Sequence, residues 1–174
     1  MKNVSIYPLK ISPSVGGILA SLGIKGAMPI QHGSQGCTAF AVAMLTRHFR
    51  EVVPIQTTAL SEIATVMGDD FNLHESIVNV IKTRDPDLVV ILSTAVSEVR
   101  GDDIDGSIVR FRQKYPELSY LPILSVSTPD FKGSLEDGFF AVVNKVVNSI
   151  PKWGRRVKNQ INIITSPFLT GGYR

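Results

Sequence analysis

With one cysteine, one tryptophan and three histidines in 174 residues, this sequence has little material for several kinds of chemistry. A single cysteine excludes an internal disulfide framework and suits a reducing compartment. His32, His48 and His74 form no metal-spaced pair. Neither a P-loop nor a dinucleotide-binding glycine fingerprint is present. The GSQG at 33–36 lacks the spacing and the Lys-Ser/Thr pair that a phosphate cradle requires. No apolar run approaches the ~20 residues needed to cross a bilayer. The opening MKNVSIYPLK also lacks the apolar core of a signal peptide, so a soluble, cytoplasmic protein is expected. Excess charge is small at +3, and basic residues cluster only at Lys152, Arg155, Arg156 and Lys158. That cluster reads more simply as a solvated connector than as a nucleic-acid face, and no nucleic-acid partner is expected.

What is present describes an ordinary globular chain, 44% hydrophobic and 19% charged, able to bury a sizeable core. Pro13 suits a first helical turn, Val15, Ile18, Leu19 and Leu22 repeat at helical spacing, and Gly23 is a stop. AMPIQ reads as a strand. The helix after Cys37 is expected to run to about Arg50, burying Phe40, Met44, Leu45 and Phe49. VVPIQTT reads as a short strand, SEIATVMGDD as a passage through Gly68 into a loop, and Asn72 as the cap of a helix carrying Leu73, Ile77, Val80 and Ile81. DLVVILST at 87–94 is the clearest strand, apolar almost throughout, as a strand covered on both faces must be. The polar loop STAVSEVRGDD follows. Asp102 or Asp103 then opens a helix through Ile104, Ile108, Val109, Phe111 and Tyr115. A second buried strand, LPILSVST, leads to the loop TPDFKGS and a helix over about 135–150, with Phe139, Phe140, Val143, Val146 and Val147 on its apolar side. Residues 1–150 are therefore expected to form a parallel α/β domain with right-handed crossovers. Residues 151–174 are expected to be a basic connector and the first strand, INIIT, of a truncated next domain.

The stretch HGSQGCTAF at 32–40 organises the candidate chemistry. Small polar residues feed a helix start, where free backbone N–H groups and the helix dipole favour negative charge. A thiolate there would bind metal. The plainer reading makes Cys37 a small buried hydrophobe. A Cys37–His32 nucleophile pair lacks an orienting group. Glu98, Asp102, Asp103 and Asp105 read as solvated residues at a helix start, with a divalent-metal site as the alternative. Iron–sulfur clusters usually need four cysteine-type ligands, so one cysteine serves such a cluster only at a boundary with a partner that supplies the others.

The segments PLKIS, VGGILASLGIKGAMPIQHGSQGCTAF, RHFRE, IQTTALSE, STAVSEVRGDDI and STPDFKGSLEDGF, in unbroken order over about residues 5–145, resemble the β-type subunits of the nitrogenase family. The likeness is greatest to the β-like half of the scaffold that matures the nitrogenase cofactor. HGSQGC, RHFRE and the SE-x-x-G-D-D element are jointly specific. The resemblance implies a flavodoxin-like parallel sheet flanked by helices. Of three cysteines that hold a cluster in the catalytic β-type subunit, Cys37 corresponds to one, while Ser12 and Ala95 stand at the other two positions. Loss of both departs from the catalytic subunit and agrees with the scaffold, which gives one cysteine to a [4Fe–4S] cluster shared with its α-type partner subunit. Asp130 stands where the catalytic subunit has a serine near its cluster, either reaching the cluster or forming a turn. Gly33 and Gly36 would let the loop approach the cluster. The resemblance further implies a heterotetramer, a transient iron–molybdenum or iron–vanadium cofactor precursor, docking of the reductase Fe protein, and an assembly role rather than catalysis. The alternatives are a catalytic β-type subunit or related reductase, and a generic ligand-binding α/β domain with a structural Cys37.

Overall fold

Strand β3, Leu88–Ser93, sets the architecture because its side chains alternate between two apolar layers. Val90 and Leu92 join one core cluster, and Val89 and Ile91 the other. The computed structural model describes residues 12–61 and 70–150. Within them the chain runs α1 (Pro13–Leu22), β1 (Ala27–His32), α2 (Gln35–Phe49), β2 (Gln56–Thr57), α3 (Phe71–Arg84), β3, α4 (Ala95–Arg100), α5 (Ile104–Lys114), β4 (Ile123–Val126) and α6 (Leu135–Ser149). The strands form one four-stranded sheet in the order β2-β1-β3-β4, parallel at every pairing. Ile30 is in register with Ile91, and Ile91 with Ser125. This is the parallel α/β sheet that the strand–helix alternation predicts.

Two helical layers cover the sheet. On one face, Val15, Ile18 and Leu19 of α1, Ala41 and Leu45 of α2 and Val142 of α6 pack on Val90, Leu92 and Val126. On the other, Leu73, Ile77 and Val80 of α3 and Ile108 and Phe111 of α5 pack on Met28, Ile30, Val89, Ile91 and Ile123. Each fully buried aliphatic side chain contributes about 1.5–3 kcal/mol over its exposed state. Helix α1 is buried on almost every side, and its small residues let α6 lie directly against it.

Several local expectations are corrected. STAVSEVRGDD is not all loop: it contains the six-residue helix α4, closed by a Thr94–Ser97 capping box and by Gly101 at φ 78°. Phe40 is exposed rather than buried, because the inward side of α2 is set by Thr38, Ala41 and Leu45. Val109, Phe140 and Val147 likewise face outward, while Val142 is the fully buried residue of α6 and the expected Phe139, Val143 and Val146 pack partly buried against the same core. Helix α3 is preceded by Asp70, not Asn72. The lead-in over 1–11, the passage through Gly68, the basic connector and the INIIT strand lie outside the described residues.

Candidate functional site

Strand β1 ends at His32, and the turn Gly33–Ser34 carries the chain into α2. Cys37 falls in the first turn of that helix, partly exposed, with its Sγ 3.5 Å from Ser34 Oγ. The helix thus begins at Gln35, two residues before Cys37, rather than after it as the sequence suggests. It leaves Cys37 at the carboxyl end of a parallel strand, where such sheets collect ligands.

Cys37 opens onto a cleft of about 280 Å³, together with Ser12 and Ser14 from the start of α1, Gln31 from β1, Gly36 and Phe40 from α2, and Asp130. Cys37, Gly36 and Asp130, separated by up to 94 positions in sequence, therefore share one cavity, and Ser12 is there with them. Asp130 is exposed and begins a 3-10 turn over Asp130–Lys132 after β4. Ala95 is not on this cleft: it is the first residue of α4, beyond β3. The two glycines differ. A Cβ on Gly33 would come within 2.2 Å of Thr94 Oγ1, so the need for glycine at 33 arises inside the chain. A Cβ on Gly36 would meet nothing within 4 Å, so nothing in the described chain demands glycine there.

Gln31 is 1% exposed yet lines the cleft, donating from Nε2 to Ser14 Oγ at 2.8 Å. Its Oε1 is buried with no hydrogen-bond partner. Orphaned buried amides are uncommon in folded proteins.

A second cleft, of about 300 Å³, lies on the other side of β1 and is lined by His32, Asp70, Arg100, Asp102, Asp103, Ser107 and Arg110 among others. His32 turns away from Cys37 into it. Its Nε2 lies 3.0 Å from Asp102 Oδ2, and its Nδ1 lies 3.1 Å from Thr58 Oγ1. Arg100 also grips Asp102 through Nε and Nη2. Burial holds the His32 pKa below its ordinary value, against the opposing pull of Asp102. Across the cleft, the Arg110 guanidinium holds Asp70 below the usual carboxylate range, despite partial burial. Burial would raise the Glu98 pKa, but hydrogen bonds from Ser127 and Ser93 outweigh it and the net shift is downward. Asp103 caps α5 by accepting from Gly106 N at 2.9 Å. The acidic residues are thus spent on His32, on serines and on a cap. Among the described residues no group of three or more His, Cys, Asp or Glu is placed to hold a metal ion. The His32–Asp102 contact escaped sequence reading because 70 positions separate the partners, although both follow the carboxyl ends of neighbouring strands.

Order, direction and cleft define a parallel α/β domain with a cysteine-bearing recess at the carboxyl ends of its strands. The chain belongs to the nitrogenase component 1 type oxidoreductase family, whose model matches residues 12–174. It is similar to the nitrogenase iron-molybdenum cofactor biosynthesis protein NifN of Nostoc sp., 44% identical over 171 residues that span 98% of this chain and 38% of that protein. The NifN of Rippkaea orientalis is 47% identical over 84% of this chain and 32% of its own length. Among solved structures, a chain described as nitrogenase Cp1 at pH 6.5 superposes with a TM-score of 0.78 at 31% identity, over 86% of this chain and 33% of that one. The chain thus spans about a third of the length of the curated relatives it matches. No helix among the described residues is long and apolar enough to cross a membrane.

Proposed function

We propose that this chain is the Cys37-bearing part of an assembly scaffold on which nitrogenase iron–molybdenum (or iron–vanadium) cofactor is built. Cys37 supplies one ligand to a [4Fe–4S] cluster shared with an α-type partner subunit. The observation that carries this reading is the Cys37 cleft itself. It is open to the outside, holds the chain's one cysteine, and offers a serine at position 12, while Ala95, off the cleft, has no donor atom. A cluster held there needs its remaining cysteine-type ligands from another chain. Family membership and the names of the NifN relatives support the biosynthetic assignment over a catalytic subunit.

The residues fit such a group. A partly exposed sulfur stands next to open space at Gly36 and shares its cleft with Gln31, whose buried amide oxygen lacks a partner. When bound, the cluster supplies one-electron storage and transfer. The chain's part is to present Cys37 in a fixed helical turn, to leave room at Gly36, and to border the recess with Asp130. The cofactor precursor is cargo received from outside, and the reductase Fe protein is the proposed electron donor to the heterotetramer. The cytoplasm is the proposed location.

Anaerobic co-expression of the full-length chain with its α-type partner, followed by iron and sulfide analysis of the purified complex, tests the reading. A complex carrying a [4Fe–4S] complement at each interface is expected. A stable complex free of iron and sulfide would contradict it.

A further inference from the structure

Serine at the position before a helix normally accepts a backbone N–H of the first turn with its hydroxyl oxygen. Helices α1 and α2 each have a serine there, Ser12 and Ser34, and neither side chain caps its helix. Both hydroxyls turn to other partners. Ser34 Oγ lies 3.5 Å from Cys37 Sγ. Ser12 Oγ lies 2.7 Å from Ser14 Oγ, which accepts from Gln31 Nε2 at 2.8 Å. Ser12, Ser14, Gln31 and Cys37 line the same cleft.

The direction of the chain of bonds follows from its buried end. Gln31 donates to Ser14, so the Ser14 proton is free to go to Ser12 Oγ. The Ser12 proton is then left without an acceptor among the described residues, at the border of the cleft. The other end of the Gln31 amide, Oε1, is also unpartnered although the residue is 1% exposed. Oxygen and nitrogen of a side-chain amide are assigned from their partners. Turned end for end, Gln31 accepts from Ser14 and presents its NH₂ where the orphan now stands. In that orientation Ser14 donates to Gln31 and Ser12 to Ser14, and the free donor is the amide NH₂; in either orientation the chain of bonds leaves one donor bordering the cleft it shares with Cys37.

The geometry points to Ser34 and the Ser12–Ser14–Gln31 chain as hydrogen-bond donors to the sulfur of the group that Cys37 holds, setting its reduction potential. This rests on the reading that Cys37 binds an iron–sulfur cluster. Thiolate and sulfide sulfur carry negative charge and accept O–H donors. Each donor stabilises the reduced, more negative cluster more than the oxidised one and so raises its potential. At position 12 a hydroxyl thus stands in a donor role where the catalytic relatives resembled above have a ligand. Ser12 and Ser34 are positioning residues here: they act on the cluster through its sulfur.

The test is a redox titration with dithionite, followed by EPR, of the anaerobic full-length complex with its partner subunit. Ser12→Ala and Ser34→Ala should keep wild-type iron content and wild-type melting, since neither removes a helix cap, and each should move the midpoint to a more negative potential. Ser12→Thr, which keeps the hydroxyl, should stay at the wild-type midpoint. Unmoved midpoints in both alanine variants at full iron content would overturn the inference. Loss of iron in Ser12→Ala would also overturn it, by making Ser12 a ligand or a structural requirement. An unchanged cluster signal at unchanged iron content in Cys37→Ala would instead bring down the underlying reading, and the inference with it.

Discussion

His32 and Asp102 are joined by a 3.0 Å contact between Nε2 and Oδ2, tying the carboxyl end of β1 to the turn after α4. The carboxylate can only accept, which puts the ring proton on Nε2 and leaves Nδ1 to accept from the Thr58 hydroxyl. His32 is 3% exposed, so its neutral form is bonded on both sides with little water nearby. The His32 of the HGSQGC stretch therefore braces the turn that carries Cys37, rather than acting beside the thiol.

That bracing makes stability depend on pH. The folded pKa of His32 lies below its ordinary value of 6.5, so the unfolded chain takes up the proton first as pH falls. The stabilisation is fully present above about pH 6.5 and is lost as pH drops through the lower, folded value. Asp70 and Glu98, also lowered, lose theirs only near and below their ordinary values of 3.8 and 4.5, which separates the windows. Urea midpoints measured between about pH 7.5 and 5 should fall with acidity in the wild type. His32→Gln should flatten that slope. An equal slope in both would assign the loss to other groups.

Gly33 and Gly36 should respond oppositely to alanine. At Gly33 the new methyl meets Thr94 Oγ1, whose hydroxyl donates to His32 O at 3.0 Å, and a loss of about 1–3 kcal/mol is expected in denaturant unfolding. At Gly36 the methyl enters open space in a helical turn, so stability should hold or rise by up to about 1 kcal/mol. In the anaerobic complex, however, Gly36→Ala should lower iron content if the cluster approaches that backbone.

Alanine at Gly16 should destabilise the fold although Ala is the better helix former. Its Cβ would lie 1.8 Å from Leu135 O, and a Cβ at Gly138 would lie 1.8 Å from Pro13 O, so α1 and α6 meet backbone to backbone. The propensity gain of about 1 kcal/mol is smaller than the overpacking cost of about 1–3 kcal/mol. Thermal melting of Gly16→Ala and Gly138→Ala should show lower midpoints. A rise in either would mean the helices separate freely.

Phe111→Ala should cost about 3–5 kcal/mol. The ring is fully buried and packs edge-on to His74 at 5.4 Å and against Tyr115 at 5.0 Å, closing the layer beneath α3 and α5. A loss under about 1 kcal/mol in equilibrium unfolding would show that the layer collapses around the gap.

The elements carried by strong periodicity were readable from sequence. The run 87–94 had to be a strand buried on both faces, and Val89, Ile91 against Val90, Leu92 divide as that requires. What periodicity could not supply was side-chain direction where apolar residues occur on more than one side of a helix. Phe40 and Phe140 fall on apolar stripes in the sequence and yet face outward, since only packing against the sheet decides which flank of α2 or α6 turns in. Helix α4 leaves no periodic signal because six residues are too few for a period, and its Thr94–Ser97 box lacks the usual Glu or Gln. At the site, resemblance nominates Cys37, Gly33, Gly36 and Asp130; the topology brings Cys37, Gly36 and Asp130 onto one cleft, while Gly33 packs against Thr94. Gln31 carried no signal: a lone glutamine in AMPIQ becomes notable only when its buried Oε1 proves unpartnered.

The central claim is that Cys37 is one ligand of a cluster completed by another chain. Its most direct measurement is iron content and the EPR spectrum of the anaerobic complex with the α-type partner, comparing wild type with Cys37→Ala. The account predicts that the variant still folds and pairs but loses the [4Fe–4S] signal and its iron, or keeps an altered signal with one ligand replaced. An unchanged spectrum at unchanged iron content would contradict it.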